Sequence, residues 1–178
     1  MIEKVNAGLE VPQLSLQPPV GLAGIVREFG DVREFVRRDG CLDPRWESES
    51  LAVVSLPFPV LLAWDHSRAV SSFRCHHRLT EIFSQVFGHI AVAGLASKVR
   101  SFGGCFMYRS QRTGAKLSTH SWGIAIDLNP ETNGLGMAGD FFSGVRAYRG
   151  GGFGIEGPEF WRVLYVSSAA HWGEAFDA

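Results

Sequence analysis

The sequence predicts an α+β fold with a small, mostly antiparallel sheet and flanking helices. Apolar residues at helical spacing over 21–40 and 76–100 alternate with β-rich stretches at 51–65, 101–109 and 121–130. The chain has 178 residues, of which 46% are hydrophobic and 20% charged, which is ordinary for a globular protein with a buried core.

The elements predict a single domain in two parts. Residues 1–70 are expected to supply an N-terminal arm, helices and edge strands, which pack on a core formed by 71–178. Residues 1–20 have no clear period and predict the extended arm. The amphipathic stretch 21–40 predicts two short helices that meet at Gly30.

The stretch 51–65 contains two prolines, Pro57 and Pro59. Proline donates no hydrogen bond to a strand ladder, so the pattern predicts two strands or one bent edge strand. The longest helical segment follows at 76–100, and its predicted core face consists of Leu79, Ile82, Phe83, Val86, Phe87, Ile90 and Leu95.

The strand predicted at 121–130 raises the possibility of a functional site. Its alternation places large apolar residues on one face, whereas Gly123, Ala125 and Asp127 share the other. Asp127 would then stand in an open space. His120 precedes the strand, and a bend at Gly123 would bring it toward the same space. A short helix is predicted at 139–150, and the segment 160–176 fits either a helix or a strand.

Composition gives no support for several classes of partner. The net charge of −1 and pI of about 6.6 give no reason to expect binding to nucleic acid or to a membrane surface. No apolar run approaches the roughly 20 residues of a membrane span. The N-terminus lacks the apolar stretch of a secretion signal, so we expect synthesis in the cytoplasm without a signal peptide.

The cysteines and glycines give no indication of a cysteine metal site, a phosphate-binding loop or a serine nucleophile. Cys41, Cys75 and Cys105 form no CxxC pair and are expected to be free thiols, with a Cys75–Cys105 bridge as the alternative. The glycine-rich stretch 149–157 lacks the Lys and Ser/Thr of a phosphate loop. No GxSxG nucleophile elbow is present.

Two arginines, Arg109 and Arg112, lie just upstream of His120. Arginines on a loop are usually solvated, but a guanidinium can also bind a substrate carboxylate bidentately or stabilise an oxyanion.

The stretch LSTHSWGIAIDLNP (117–130) resembles the S-x-H-x-x-G-x-A-x-D signature of zinc peptidases that cut bacterial cell-wall peptides. This family includes D-alanyl-D-alanine carboxypeptidases and the L-alanyl-D-glutamate endopeptidases of phage lysins, and its fold is shared with the amino-terminal domain of sonic hedgehog. The five signature positions are all matched, and GGCFMYR (103–109) resembles the strand and arginine that precede them in the family. The resemblance covers roughly residues 75–172.

The resemblance implies a zinc site and a set of residue roles. His120, Asp127 and His171 would be the three Zn²⁺ ligands, since His171 is the one histidine after Asp127. Three such ligands leave a fourth position for water, which the metal activates. Arg109 would stabilise substrate or transition state. Arg112 and Ser118 are assigned to substrate binding, and Ser118 could also hydrogen-bond a metal ligand.

One position departs from the family pattern. The family's acid/base is an Asp or Glu three residues before the last histidine, and here that position is Ser168. Glu156, Glu159 and Glu174 are the possible replacements; we favour Glu156, because a glycine-rich loop can reposition it.

The function implied is a zinc-dependent peptidase that cleaves peptidoglycan stem peptides, of the D-Ala-D-Ala carboxypeptidase or L-Ala-D-Glu endopeptidase type. It would be encoded by a bacterium or phage and would act at the bacterial cell wall after release. The alternative is a catalytically impaired zinc-binding homologue that serves as a cell-wall binding or assembly module. A globular domain without a metal is the third possibility. The bond cleaved and the oligomeric state stay open.

Overall fold

The computed structural model describes residues 19–111 and 116–132. These residues form an α+β fold in which helices flank a four-stranded mixed sheet with the strand order β2-β1-β3-β4. Its helices and strands are α1 (Gly21–Phe29), α2 (Pro44–Ser50), β1 (Leu51–Leu62), β2 (Asp65–His76), α3 (Thr80–Val92), β3 (Ser101–Gly104) and β4 (Asp127–Leu128). The predicted α+β class with a small sheet and helices is confirmed.

The sheet consists of two antiparallel pairs joined by a parallel one. β1 pairs with β2, and β3 with β4, in antiparallel register. The parallel contact between β1 and β3 is short, with Leu61 opposite Ser101 and Leu62 opposite Phe102. This short contact connects the long β1–β2 hairpin to the two strands that carry the candidate site.

β1 is a central strand, so the prediction of two strands or an edge strand at 51–65 is wrong. It continues through both prolines because they fall in an irregularity of the β1–β2 ladder, between Ser55 and Val60. Within this irregularity no ladder hydrogen bond is required of Pro57 or Pro59.

The helix predicted over 76–100 is shorter in the structure. His76 is the last residue of β2, and a 3₁₀ turn (His77–Leu79) precedes α3. The helix stops at Val92, close to Gly94, whose φ of 70° is left-handed. The predicted core face is confirmed, because its first six members are buried: Leu79, Ile82, Phe83, Val86, Phe87 and Ile90.

The segment 121–130 is mostly not a strand, which corrects the sequence prediction. Regular pairing is limited to Asp127–Leu128, and a 3₁₀ turn (Thr119–Trp122) occupies the start of the predicted strand. The face predicted to be open is also covered, since Ala125 is buried like its apolar neighbours. Likewise, the strand predicted at 101–109 ends at Gly104.

The N-terminal elements pack against the end of β2 through polar contacts as well as apolar ones. The ring of His76 is 2% exposed, and its Nε2–H donates to the Phe29 carbonyl at 3.1 Å. Trp122 Nε1 donates to the carbonyl of Gly30 at 2.9 Å. Helix α1 ends before Gly30 as predicted, but the second helix expected there is a 3₁₀ turn (Val32–Phe35).

All three cysteines are free thiols, as predicted, and Cys75 and Cys105 are buried. Among the described helices, none has the length and apolar character needed to cross a membrane. Most of the arm predicted at 1–20 and the elements predicted at 139–150 and 160–176 lie outside the described residues.

Candidate functional site

His120 and Asp127 lie side by side at the mouth of a cleft. Nε2 of His120 is 3.4 Å from Oδ2 of Asp127. The imidazole is almost fully buried, whereas the carboxylate side chain is 33% exposed. The sequence expectation that these two residues share one space is confirmed by this distance.

The 3₁₀ turn that carries His120 is fixed at both ends. Ser118 caps its start, because the Ser118 hydroxyl accepts a hydrogen bond from the His120 N–H at 3.4 Å. Gly123 ends the turn with a left-handed φ of 67°. A β-carbon at this position would lie 2.9 Å from Leu51 Cδ2 and 3.0 Å from the His76 nitrogen, so glycine is required for both conformation and space.

The tautomer of His120 is set by the backbone. Its Nδ1 lies 2.8 Å from the Cys105 carbonyl oxygen, which can only accept, so Nδ1 carries the proton. In the neutral ring, the lone pair of Nε2 then lies on the side of Asp127. Metal-binding histidines characteristically donate their second ring N–H to a carbonyl or carboxylate in this way.

The spacing of the pair fits one metal ion. Zinc holds imidazole nitrogen and carboxylate oxygen at about 2.0–2.2 Å, so two tetrahedral ligands lie about 3.4 Å apart. The observed separation of Nε2 and Oδ2, 3.4 Å, agrees with this value. Within residues 19–111 and 116–132, no group of three His, Cys, Asp or Glu side chains could hold a metal ion.

Asp127 is positioned by β3 and by an asparagine two residues later. Asn129 is fully buried, and its Oδ1 accepts hydrogen bonds from the Arg100 and Ser101 N–H groups at 2.8 and 3.1 Å. Its Nδ2 donates to the Lys98 carbonyl at 2.9 Å. These bonds tie the chain after Asp127 to the start of β3.

Arg109 is connected to the histidine turn through its backbone. The Ser121 hydroxyl donates to the Arg109 carbonyl at 2.9 Å, and the Arg109 N–H donates to the same hydroxyl at 3.1 Å. The Ser118 N–H donates to that carbonyl as well, at 3.0 Å. Ser118 and Ser121 thus connect the 3₁₀ turn that carries His120 to the backbone of Arg109, and Ser118 also caps that turn.

The cleft beside the pair has a volume of about 710 Å³. Its lining includes His120, Asp127 and three arginines, namely Arg68, Arg74 and Arg109. Asp127 is the one acidic residue among the lining residues that the structure describes. The charge of these walls favours an anionic ligand.

Arg68 and Arg74 were not identified from the sequence, because no motif distinguishes them from other arginines of the chain. β2 itself was not predicted, since its burial alternates only near its end, where Phe73 and Cys75 are covered. The cleft wall that this strand forms could therefore not be foreseen.

Several residues predicted for the site lie outside the described residues. These are Arg112, Glu156, Ser168 and His171, with the alternative bases Glu159 and Glu174. Their roles stay predictions. The structure brings together His120, Asp127, Arg109 and Ser118 from the predicted set.

A further histidine near this region, His76, has a structural environment. Burial, together with the neighbouring His77, lowers the pKa of His76 to about 4, so its ring is neutral at pH 7. Nε2–H donates to Phe29, and Nδ1 accepts from the Arg78 N–H at 3.3 Å. Both ring nitrogens are occupied by backbone groups, which leaves neither for a metal ion.

No protein-family model, curated protein or solved structure matches this chain.

Proposed function

We propose that the protein is a zinc-dependent peptidase that cleaves peptidoglycan stem peptides. The observation that carries the proposal is the His120–Asp127 pair, whose 3.4 Å separation suits two ligands of one zinc ion. His171 is proposed as the third ligand, on the resemblance of the signature, and the hedgehog-like peptidase fold is proposed on the same ground.

The described residues would supply two parts of such a reaction, the orientation of a metal ligand and a group that binds substrate. A bound zinc ion would supply an activated water and polarise the scissile carbonyl. The Cys105 carbonyl holds the His120 ring so that Nε2 faces the cleft. Arg109 lines the same cleft, where its guanidinium can bind a substrate carboxylate or the oxyanion that develops during attack. The cleft volume of about 710 Å³ is sufficient for a short peptide.

Proton transfer needs a group that the signature does not supply. Ser168 stands where the family has an Asp or Glu, and a serine hydroxyl is not a base near neutral pH. We propose Glu156 as the replacement, and Arg112 as a further substrate contact. The protein would act at the bacterial cell wall.

Metal content tests the zinc site directly. We expect purified protein to hold about one zinc ion per chain, and His120→Ala to lose most of it, because Nε2 is a ligand. His66→Ala is the matched control, since His66 is exposed and does not line the cleft. Equal zinc content in wild type and His120→Ala would refute the site.

A second candidate function is a zinc-holding cell-wall binding or assembly module with impaired catalysis. The serine at position 168 favours it, because general acid–base catalysis contributes about 10²–10⁴ in rate. Turnover of stem peptides at matched zinc occupancy separates the two. Turnover by wild type that Glu156→Gln abolishes supports the peptidase, whereas inert wild type with activity gained in Ser168→Asp supports the binding module.

A further inference from the structure

The start of β2 departs from regular pairing beside the cleft. Leu61 lies opposite Ala69, but the next residue, Leu62, lies opposite Asp65. Residues 66–68 therefore form a bulge. Bulges redirect side chains and are frequent next to active sites.

The bulge is held by a local hydrogen-bonded turn. Oδ1 of Asp65 accepts hydrogen bonds from the Ser67 N–H at 3.1 Å and from the Ser67 hydroxyl at 2.6 Å. The carboxylate of Asp65 is thereby engaged with Ser67. The last residue of the bulge, Arg68, lines the cleft that also contains His120 and Asp127.

The arginines of the cleft differ in their partners. Arg74 forms an ion pair with Glu47 and lies over the Phe106 ring, 5.7 Å from its centroid. Arg109 donates from its guanidinium to the Ser110 carbonyl at 3.4 Å. Arg68 has no ion pair or side-chain hydrogen bond with any residue in 19–111 or 116–132, although it faces a ligand-sized space.

Exposed apolar side chains line the same cleft as this arginine. Trp64, at the β1–β2 turn, is 66% exposed, and Met107 is 58% exposed. The Ala63 N–H donates to the Phe102 carbonyl, and Phe102 pairs with Leu128, which follows Asp127. The turn is therefore two strand spacings, about 10 Å, from β4. That distance corresponds to about three residues of an extended peptide.

We propose that Arg68 and Trp64 form a second substrate subsite, which binds a free carboxylate about three residues from the scissile bond. The inference rests on the proposed peptidase function for the identity of its ligand. Arg68 binds the carboxylate through its guanidinium, and the Trp64 indole covers the adjoining apolar part of the peptide. The subsite therefore binds an acidic peptide more tightly than the same peptide in which that carboxylate is converted to an amide.

Calorimetric titration of the full chain with two stem peptides tests the subsite. One peptide has a free carboxylate three residues from the scissile bond and the other has the corresponding amide; in both, a non-hydrolysable isostere replaces the scissile bond, so that the zinc-loaded protein consumes neither. Wild type should bind the acidic peptide about tenfold more tightly. Arg68→Ala should abolish this preference, and Arg68→Lys should retain part of it, because lysine keeps the charge but not the planar fork.

Arg38→Ala is the matched control, because Arg38 is exposed and does not line the cleft. It should leave the tenfold preference unchanged. Trp64→Ala should weaken both peptides by a similar factor. A preference that survives in Arg68→Ala, or that is absent in wild type, overturns the subsite.

The outcome can be separated from that of the proposed function. If the protein binds zinc and turns over stem peptides, but Arg68→Ala leaves the preference for the acidic peptide unchanged, the subsite is refuted and the peptidase proposal stands. A preference that depends on Arg68, in a protein that binds no zinc, would support the subsite and refute the peptidase.

Discussion

Replacing Asn129 should be among the most destabilising single changes in the described part of the chain. Its side chain forms three hydrogen bonds, two accepted from Arg100 and Ser101 and one donated to Lys98. Its φ of 47° is left-handed, a conformation that asparagine tolerates better than alanine does. Asn129→Ala therefore removes three bonds and strains the backbone.

The magnitude follows from these two terms. A hydrogen bond contributes about 1 kcal/mol net, so the loss of three costs about 3 kcal/mol. Alanine in the left-handed region costs about 1 kcal/mol more. We expect Asn129→Ala to lower the free energy of unfolding by about 4 kcal/mol and Asn129→Gly by about 3 kcal/mol, because glycine adopts this conformation freely. Such losses are a large fraction of the about 5–15 kcal/mol typical of a domain.

Urea denaturation followed by tryptophan fluorescence measures these differences. Thr132→Ala is the control from the same turn, since Thr132 forms peripheral bonds with Arg100 and with the Asn129 carbonyl. We expect it to cost less than about 1 kcal/mol. A loss below 1 kcal/mol for Asn129→Ala, or an equal loss for Thr132→Ala, would refute the assignment of Asn129 as the anchor of β4.

Two further predictions concern His76, at the end of β2, and Gly123, whose backbone lies close to it. Because burial lowers the pKa of His76 to about 4, below the ordinary 6.5, the unfolded chain binds more protons between these values. Stability from this residue should be complete above pH 6.5 and fall by about 3 kcal/mol as the pH drops to 4; His76→Gln should flatten that slope, and an unchanged slope would contradict the prediction. Gly123→Ala should cost at least about 2 kcal/mol, since its β-carbon would meet Leu51 and His76 at 2.9 and 3.0 Å in a left-handed backbone. Gly88→Ala, in α3 with no atom within 4 Å of the new carbon, should instead stabilise by about 0.5–1 kcal/mol in the same urea assay, and equal signs for the two would contradict this account.

The sequence was most informative where one signal determined the local structure. Apolar residues at helical spacing identified the core face of α3, because that face is buried and the helix packs against β1. Gly123 was recognised as a bend between His120 and Asp127, and its left-handed φ confirms the reason given for it. Spacing within the signature thus predicted the pair of side chains at the site.

Prediction failed where long-range pairing overrode local pattern. Pro57 and Pro59 argued for an edge strand, yet β1 became central because the ladder is irregular at those residues. β2 was missed because most of it is exposed on both sides, so alternation is weak. Helix α2 was also missed, although Asp43 caps it and Pro44 begins it, a recognisable start signal. Arg68 lies on β2, so its place in the cleft could not be predicted without that strand.

The hydrogen bond from His120 to the Cys105 carbonyl has a consequence for the protein's evolution. The acceptor belongs to the main chain, so every amino acid at position 105 provides it. Substitutions at position 105 would change the packing of the buried side chain, and therefore the stability of the fold. They would leave the orientation of the His120 imidazole unchanged. A lineage could exchange the cysteine for another small residue and still inherit the same histidine geometry.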